Sequence, residues 1–113
     1  YDYPASQASL ARVRPGNPPL AERFELYLNG MELANGFHEL ADASEQRTRF
    51  ERQLHARSAE HRPSVALDEN LLAALASGLP DCSGVALGFD RLVMLASGVR
   101  TLGEAIAFPL GRA

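Results

Sequence analysis

The chain has little of several features that would assign a protein to a compartment or a class of partner. Its single cysteine, Cys82, cannot form an internal disulfide, which favours a reducing, cytoplasmic location. No apolar run approaches the ~20 residues of a membrane-spanning helix, and no signal-type segment opens the chain, so we expect no membrane partner. The net charge of −3 lacks the basic excess of most nucleic-acid-binding surfaces.

The length and the overall composition of the chain are those of an ordinary soluble protein. The chain has 113 residues, of which 46% are hydrophobic and 22% charged, and this length is typical of one domain. A chain of this size buries roughly two-thirds of its unfolded surface. Because the first residue is Tyr1 and not methionine, we expect a piece of a longer protein.

The first 20 residues are rich in residues that break regular structure. Proline stands at positions 4, 15, 18 and 19, and Gly16 follows the second of these prolines. Proline lacks a backbone N–H and restricts its neighbours, so we expect an irregular, solvated segment. The alternative is that Ala5–Ser9 borders a ligand site.

A β-hairpin is predicted over residues 23–39. Polar and apolar side chains alternate over residues 23–28, and Asn29-Gly30 is a strong signal for a two-residue turn. This pairing places Glu25 and Glu32 on one face as diagonal neighbours. Two carboxylates on one face of a curved sheet are suited to binding Mg²⁺.

Two helices are predicted in the middle of the chain. Asp42 and Glu45 have the spacing of an N-cap and its reciprocal glutamate, which predicts a helix to about Glu60. Its apolar stripe, Phe50 and Leu54, is narrow, so this helix should lie on the surface. A second helix is predicted over residues 68–77 and should bury three leucines, Leu71, Leu72 and Leu75.

A strand of small residues, Gly84 to Gly88, runs into Asp90-Arg91 and then into an apolar helix that ends near Ser97. Glycine lets a ligand approach the backbone, and an arginine at the start of a helix is well placed for phosphate. The alternatives are that the glycines permit tight packing and that the arginine forms a structural ion pair. Asp90 is predicted as the helix N-cap, and a capping box at Thr101 predicts a last short helix.

Three glutamates, Glu25, Glu32 and Glu39, lie within fifteen residues of each other, the last two in apolar surroundings. Buried carboxylates are costly unless they are paired or bound to cations. From the residues alone, three half-exposed strand glutamates with structural partners are the better interpretation, and a functional site is the alternative.

The order Gly-x-x-x-Gly-x-Asp-Arg-Leu-x-Met, residues 84–94, resembles motif 3 of the class II aminoacyl-tRNA synthetases. Residues 32–40, Glu-Leu-Ala-Asn-Gly-Phe-His-Glu-Leu, are similar to the Glu-Ile-Gly-Asn-Gly-Phe-Ser-Glu-Leu of lysyl-tRNA synthetases. The resemblance implies an α+β fold, the C-terminal portion of a class II catalytic domain with an antiparallel sheet flanked by helices. Residues 1–113 would be a single partial domain that includes motif 3 and lacks motifs 1 and 2.

The resemblance also implies where ATP and Mg²⁺ bind. Arg91 would be the catalytic residue and would grip the γ-phosphate of ATP. Glu32, Leu33 and Gly88 would border the nucleotide. Glu25 and Glu32 would hold the Mg²⁺ ions that bridge the phosphates.

The amino-acid substrate would be of the lysine type. Asn35 and Glu39 would contact it, with Phe37 against its aliphatic stem, and a carboxylate suits a substrate ammonium. Strict alternation, however, puts these three residues on the face opposite Glu32. We therefore predict a bulge or sharp twist within residues 34–36, at Gly36 or at the preceding Ala-Asn pair.

Three segments, residues 4–11, 32–40 and 80–88, resemble a shorter family, the elongation factor P–lysine ligases. This resemblance implies an ATP-dependent ligase that forms a lysine-type adenylate and transfers it to a lysine side chain of elongation factor P, so tRNA is not the expected acceptor. Ala86 would line the substrate pocket, where lysyl-tRNA synthetases usually have glycine. One added methyl discriminates at a scale of about 1–3 kcal/mol, so we hypothesise a preference for a lysine isomer such as β-lysine.

Nothing in residues 1–22 matches motif 1 or motif 2, so we expect these 113 residues alone to be inactive. The full-length protein is expected to be a homodimer. Two alternatives stay open: the catalytic domain of a lysyl-tRNA synthetase, and a synthetase-like module that binds without catalysis.

Overall fold

The computed structural model of the chain describes residues 1–111. The chain forms two compact units, the first made of residues 1–23 and 37–84 and the second of residues 24–36 and 85 onward. Both units contain strand and helix, which confirms the predicted α+β class. That the chain is a single partial domain stays a prediction.

The N-terminal segment is paired and packed, so the expectation of a solvated loop is wrong. Its three short strands form an antiparallel sheet in the order β1-β3-β2, with bounds β1 Tyr3–Pro4, β2 Val13–Arg14 and β3 Leu20–Ala21. Three alanines between and within these strands are buried, Ala8, Ala11 and Ala21. The prolines do not prevent this pairing, because three of them lie in the connection between β2 and β3.

The second sheet has the order β4-β5-β6, with bounds β4 Arg23–Leu28, β5 Met31–His38 and β6 Ser83–Leu87. The predicted hairpin between β4 and β5 is confirmed. Asn29 and Gly30 both have positive φ, 52° and 77°, as a type I′ turn requires. Glycine is needed here because most side chains disfavour that conformation.

The register of β5 against β6 is regular. Glu39 donates its N–H to the carbonyl of Cys82 at 3.0 Å, and Gly88 donates its N–H to the carbonyl of Leu33 at 2.8 Å. The two bonds are the same number of residues apart on both strands, so no residue is inserted between them. The bulge predicted within residues 34–36 is therefore wrong on the side that faces β6.

The register of β5 against β4, unlike that against β6, shifts by one residue along the strand. Leu28 and Met31 flank the two-residue turn, while His38 donates its N–H to the carbonyl of Glu22 at 2.9 Å. The stretch from Met31 to His38 is one residue longer than the stretch from Glu22 to Leu28. β5 thus accommodates one residue more than its hairpin neighbour between Met31 and His38, and the position of that residue within 34–36 stays a prediction.

Helices follow both sheets, with bounds α1 Ala43–Ala59, α2 Glu69–Ala76, α3 Phe89–Ser97 and α4 Leu102–Ala105. The helices predicted from the sequence are thus confirmed within a few residues. None of the helices within residues 1–111 has the length and apolar character needed to cross a membrane.

Helix α1 is held by a cap at Asp42, which the sequence predicted, and by buried polar side chains, which it did not. Asp42 caps it by accepting the N–H of Glu45 at 2.9 Å. Its buried residues are Gln46 and Arg49, while Phe50 and Leu54 of the apolar stripe are half-buried. Most of its other residues are exposed, so the predicted surface helix is confirmed, although the side that it buries is polar. Arg49 pairs with Glu45 and donates to the carbonyl of Ala11 at 2.7 Å, which supplies the partners that a buried guanidinium needs.

The other helices agree with the predictions from the sequence, except for the buried residues of α2 and the N-cap of α3. In α2 only Leu72 is buried, while Leu71 and Leu75 are half-buried. Helix α3 has Gly88 as its N-cap, so Asp90 lies in the first turn, where its charge still complements the helix dipole. The capping box of α4 is confirmed.

Candidate functional site

The residues expected at the nucleotide meet within the second unit. Arg91 lies in the first turn of α3, and its Nη1 donates to the carbonyl oxygen of Glu32 at 2.6 Å. The bond from Gly88 to Leu33 lies beside this contact. The structure therefore brings the four predicted ATP residues together, with Arg91 exposed and bonded to a backbone carbonyl.

Gly88 leaves room for the Arg91 side chain. A Cβ built at Gly88 would lie 3.2 Å from Cδ and 3.5 Å from Cγ of Arg91. The first distance is tighter than an ordinary van der Waals contact and the second is ordinary, so a larger residue at this position would make the stem of the arginine shift slightly. Gly88 thus gives the arginine stem room that a larger residue would reduce.

The two predicted Mg²⁺ ligands lie in the same unit. Tyr27 donates its hydroxyl to Oε2 of Glu25 at 2.5 Å, and both Glu25 and Glu32 are half-buried. No group of three His, Cys, Asp or Glu side chains within residues 1–111 could hold a metal by itself. Mg²⁺ at nucleotide sites commonly takes one or two carboxylates and completes its shell with phosphate oxygens and water, so a pair of glutamates fits that chemistry.

The strongest candidate for a substrate contact in the first unit is Glu39. A Cβ built at Gly84 would lie only 2.3 Å from its Oε1, so the carboxylate occupies the space that a side chain at this position would fill. Glu39 is half-buried, and no other residue among 1–111 donates a hydrogen bond to its carboxylate or forms an ion pair with it. A carboxylate withdrawn from water without a cation is costly, which makes Glu39 suited to a cationic ligand.

We predict that Gly84→Ala impairs amino-acid use without unfolding the protein. The added methyl would displace the Glu39 carboxylate, and a displacement of about 1 Å at a positioned group can cost about 10²-fold in rate. The measurement is the KM for the amino acid in ATP–pyrophosphate exchange by the full-length protein. Gly103→Ala is the matched control, because a Cβ there would meet its nearest neighbour at an ordinary 3.8 Å. Equal kinetics for both variants would contradict this role of Gly84.

The other predicted substrate residues lie in different surroundings. Phe37 packs against the alanine cluster of the first unit, so part of its ring serves the core. Asn35 is half-buried and Ala86 is exposed, and both belong to the second unit. Their roles in substrate binding stay predictions.

The N-terminal segment also borders a cavity. Ala5 and Ser6 line a cavity of about 520 Å³ together with Arg49 and Arg52 of α1. That Ala5–Ser9 borders a ligand site stays a prediction. Nothing in the cavity identifies a ligand.

Sequence reasoning missed a charged cluster around His38 in the first unit. Its Nδ1 lies 2.7 Å from Oε2 of Glu22, and its Nε2 lies 2.7 Å from Oδ1 of Asp81. The hydrogen bonds to Asp81 and then to Glu22 raise the pKa of His38. The same imidazole lowers the pKa of Asp81, with Arg12 adding to the effect from 3.0 Å. The position of a histidine next to Glu39 could have indicated this cluster, but the carboxylates that bind the histidine are distant in sequence.

Comparison with known proteins places the chain in a family. The model of the class II tRNA synthetases (D, K and N) matches residues 1–112. The chain belongs to this family. As a class II synthetase-like chain it has the expected α+β architecture, in which the strand Ser83–Leu87 is followed directly by a helix.

Several relatives of the chain have the name of a ligase. The chain is 60% identical over all 113 residues to the elongation factor P–(R)-beta-lysine ligases of two Klebsiella pneumoniae strains, and 59% identical to that of Salmonella dublin. It spans 35% of the length of each of these relatives. This share does not support the expectation that the chain is the C-terminal part of such an enzyme.

Proposed function

We propose that the full-length protein is an ATP-dependent ligase that activates a lysine-type amino acid, (R)-β-lysine above all, and transfers it to a lysine side chain of elongation factor P. The names of the relatives and their identity over the whole chain support this assignment. The structural observation that carries it is the half-buried Glu39 carboxylate in the space left by Gly84. The protein would act in the cytoplasm and as a homodimer.

The chemistry of Glu39 favours a substrate with a side-chain ammonium. A charge-assisted hydrogen bond to an ammonium offsets the cost of withdrawing the carboxylate from water. A neutral amino acid of the same length would leave that carboxylate without a cation. Discrimination against such an analogue follows from the unpaired charge and needs no steric exclusion.

The nucleotide would bind at the start of α3. Arg91 offers a planar guanidinium to phosphate oxygens, and Gly88 keeps its stem unobstructed. Glu25 and Glu32 would hold Mg²⁺, which supplies charge neutralisation on the phosphates when bound. These residues would position the substrates and stabilise charge, and the proposed reaction needs no covalent enzyme intermediate.

A second candidate is a lysyl-tRNA synthetase. The match to the D, K and N synthetase family and the similarity of residues 32–40 to the lysyl enzymes favour it. The two candidates share the adenylation step and differ in the acceptor, an amine on a protein or a hydroxyl on tRNA.

ATP–pyrophosphate exchange by the full-length protein, with α-lysine and β-lysine in parallel, tests the activation step. We expect exchange with both isomers and a higher kcat/KM for β-lysine. Incubation of the charged enzyme with elongation factor P or with tRNA then tests the acceptor, and we expect labelling of the protein alone. Labelling of tRNA would favour the second candidate, and no exchange with either isomer would contradict both.

Ala86→Gly tests the proposed preference between lysine isomers. Removing one methyl from the pocket is expected to shift the ratio of kcat/KM for β-lysine and α-lysine toward α-lysine by about 10-fold or more. The ratio is measured by exchange on the full-length protein. Ala96→Gly, at an exposed position of α3, is the control for loss of a methyl. An unchanged ratio in Ala86→Gly would remove Ala86 from the specificity determinants.

A further inference from the structure

His38, which directly precedes Glu39, connects three segments of the first unit: the end of β5, residue 22 and residue 81. The ring lies between Glu22, which precedes β4, and Asp81, which precedes β6. Both ring nitrogens are 2.7 Å from a carboxylate oxygen. The imidazole side chain is 26% exposed, so water reaches the contacts only in part.

The two contacts together require a protonated ring. A neutral imidazole has one N–H and one acceptor nitrogen, and so one of its two nitrogens would face a carboxylate without a proton between them. The imidazolium donates from both nitrogens, and each bond is then charge-assisted. The arrangement therefore holds both carboxylates only in the charged form.

The backbone around the ring leads directly to the candidate substrate site. His38 donates its N–H to the carbonyl of Glu22 and accepts from the N–H of Arg12. The next residue, Glu39, donates its N–H to the carbonyl of Cys82, which directly follows Asp81. The ring and this backbone bond thus tie the end of β5 to the segment 81–84 at two adjacent points.

Gly84, against which the Glu39 carboxylate lies, ends that same segment. A change in the separation between residue 38 and residue 81 would move the surface that supports the carboxylate. Cys82 and Ser83 alone separate Asp81 from Gly84, so little slack is available to absorb such a change.

We propose that His38 is a positioning residue, whose doubly bonded ring holds the segment 81–84 against the end of β5 and so fixes the Glu39 carboxylate for the ammonium of the amino acid. This inference rests on the proposed function for its effect on catalysis, but the geometric role stands on the contacts alone. His38 itself does not touch the substrate.

The role predicts a pH dependence with a defined sign. The groups that face the ring are two carboxylates and the arginines bound to them, Glu22, Asp81, Arg12 and Arg14. The carboxylates raise the pKa of His38 above 6.5, so its stabilising contribution is present below that pH and is lost as the pH rises through the folded-state pKa. Amino-acid affinity should weaken over the same interval, while ATP affinity should not.

The test uses His38→Gln and Asp81→Asn in the full-length protein. A glutamine donates to one carboxylate, and Asp81→Asn removes one charge at an exposed position, so this second variant should fold normally. Loss of one charge-assisted bond is expected to raise the KM for the amino acid about 10-fold, with the KM for ATP and kcat changed less than about 2-fold. His55→Gln, on the exposed side of α1, is the matched control.

Two readouts separate this role from simple destabilisation. The rise in amino-acid KM with pH should be present in the parent protein and His55→Gln and absent in His38→Gln. Hydrogen–deuterium exchange of the Glu39 amide should be faster in both test variants at neutral pH, whether or not the protein activates lysine. If the parent protein lacks exchange activity, the proposed function fails, and the amide measurement alone decides the positioning role. Unchanged amide protection, or equal changes in both KM values, would overturn it.

Discussion

Replacing Arg91 by alanine in the full-length protein is expected to lower kcat/KM for ATP–pyrophosphate exchange by about 10³-fold, the scale of losing a preorganised donor to developing charge. The expectation follows from the position of Arg91 in the first turn of α3 and from its exposed guanidinium. Its one bond to the Glu32 carbonyl leaves further N–H groups available for phosphate oxygens. The measurement is exchange at saturating amino acid with ATP varied.

Two further variants show whether the loss of activity in Arg91→Ala is specific to the guanidinium of this residue. Arg91→Lys keeps the charge but not the planar fork, and we expect it to recover only a small part of the activity. Arg100→Ala removes an exposed arginine beyond the end of α3 and should leave exchange unchanged. Wild-type exchange by Arg91→Ala would exclude Arg91 from the nucleotide site, and equal losses in Arg91→Ala and Arg100→Ala would indicate a general effect of charge.

The parts of the fold that the sequence predicted correctly depend on local interactions. Asn29-Gly30 determines the hairpin turn because two consecutive positive φ values exclude most other residues. The cap at Asp42 and the box at Thr101 join groups three residues apart. In the capping box, bonds from the Thr101 hydroxyl and N–H lower the pKa of Glu104. Such signals lie within one turn of chain and need no knowledge of the rest of the fold.

The features that the sequence did not predict depend on contacts between distant residues. Arg49 and Gln46 have the composition of a solvated helix face, yet the carbonyls of Ser9 and Ala11 provide partners for the guanidinium about 40 residues away. The strands of residues 1–21 were missed for the same reason, since their pairing joins short segments across proline-rich turns. Periodicity contains no information about which distant backbone will supply a hydrogen bond.

The candidate site combines both kinds of information. The two glycines of residues 84–88 were recognisable as a motif, but the residues alone left a choice between ligand approach and tight packing. The structure gives a more specific reason, because each glycine leaves space for the side chain of one candidate site residue, Glu39 at Gly84 and Arg91 at Gly88. His38 could not be assigned at all, since its carboxylates come from residues 22 and 81.

Replacing the Glu39 carboxylate by a neutral amide is expected to have the second large effect. Glu39→Gln keeps the size of the side chain and removes its charge, so the space at Gly84 stays filled while the ammonium of the substrate loses its counter-ion. We expect kcat/KM for the lysine-type amino acid to fall by about 10³-fold, since a site built around a polar substrate group depends strongly on that pairing. The KM for ATP should change little.

An analogue of the substrate makes this test specific. Norleucine has the stem of lysine without the ammonium, and the parent protein should discriminate strongly against it. In Glu39→Gln that discrimination should largely disappear, because neither substrate then meets a charge. Glu51→Gln, on the exposed side of α1, is the control for loss of a carboxylate and should keep both rates. If Glu39→Gln retains the parent's preference for lysine over norleucine, the ammonium is recognised by another residue and the assignment of Glu39 is wrong.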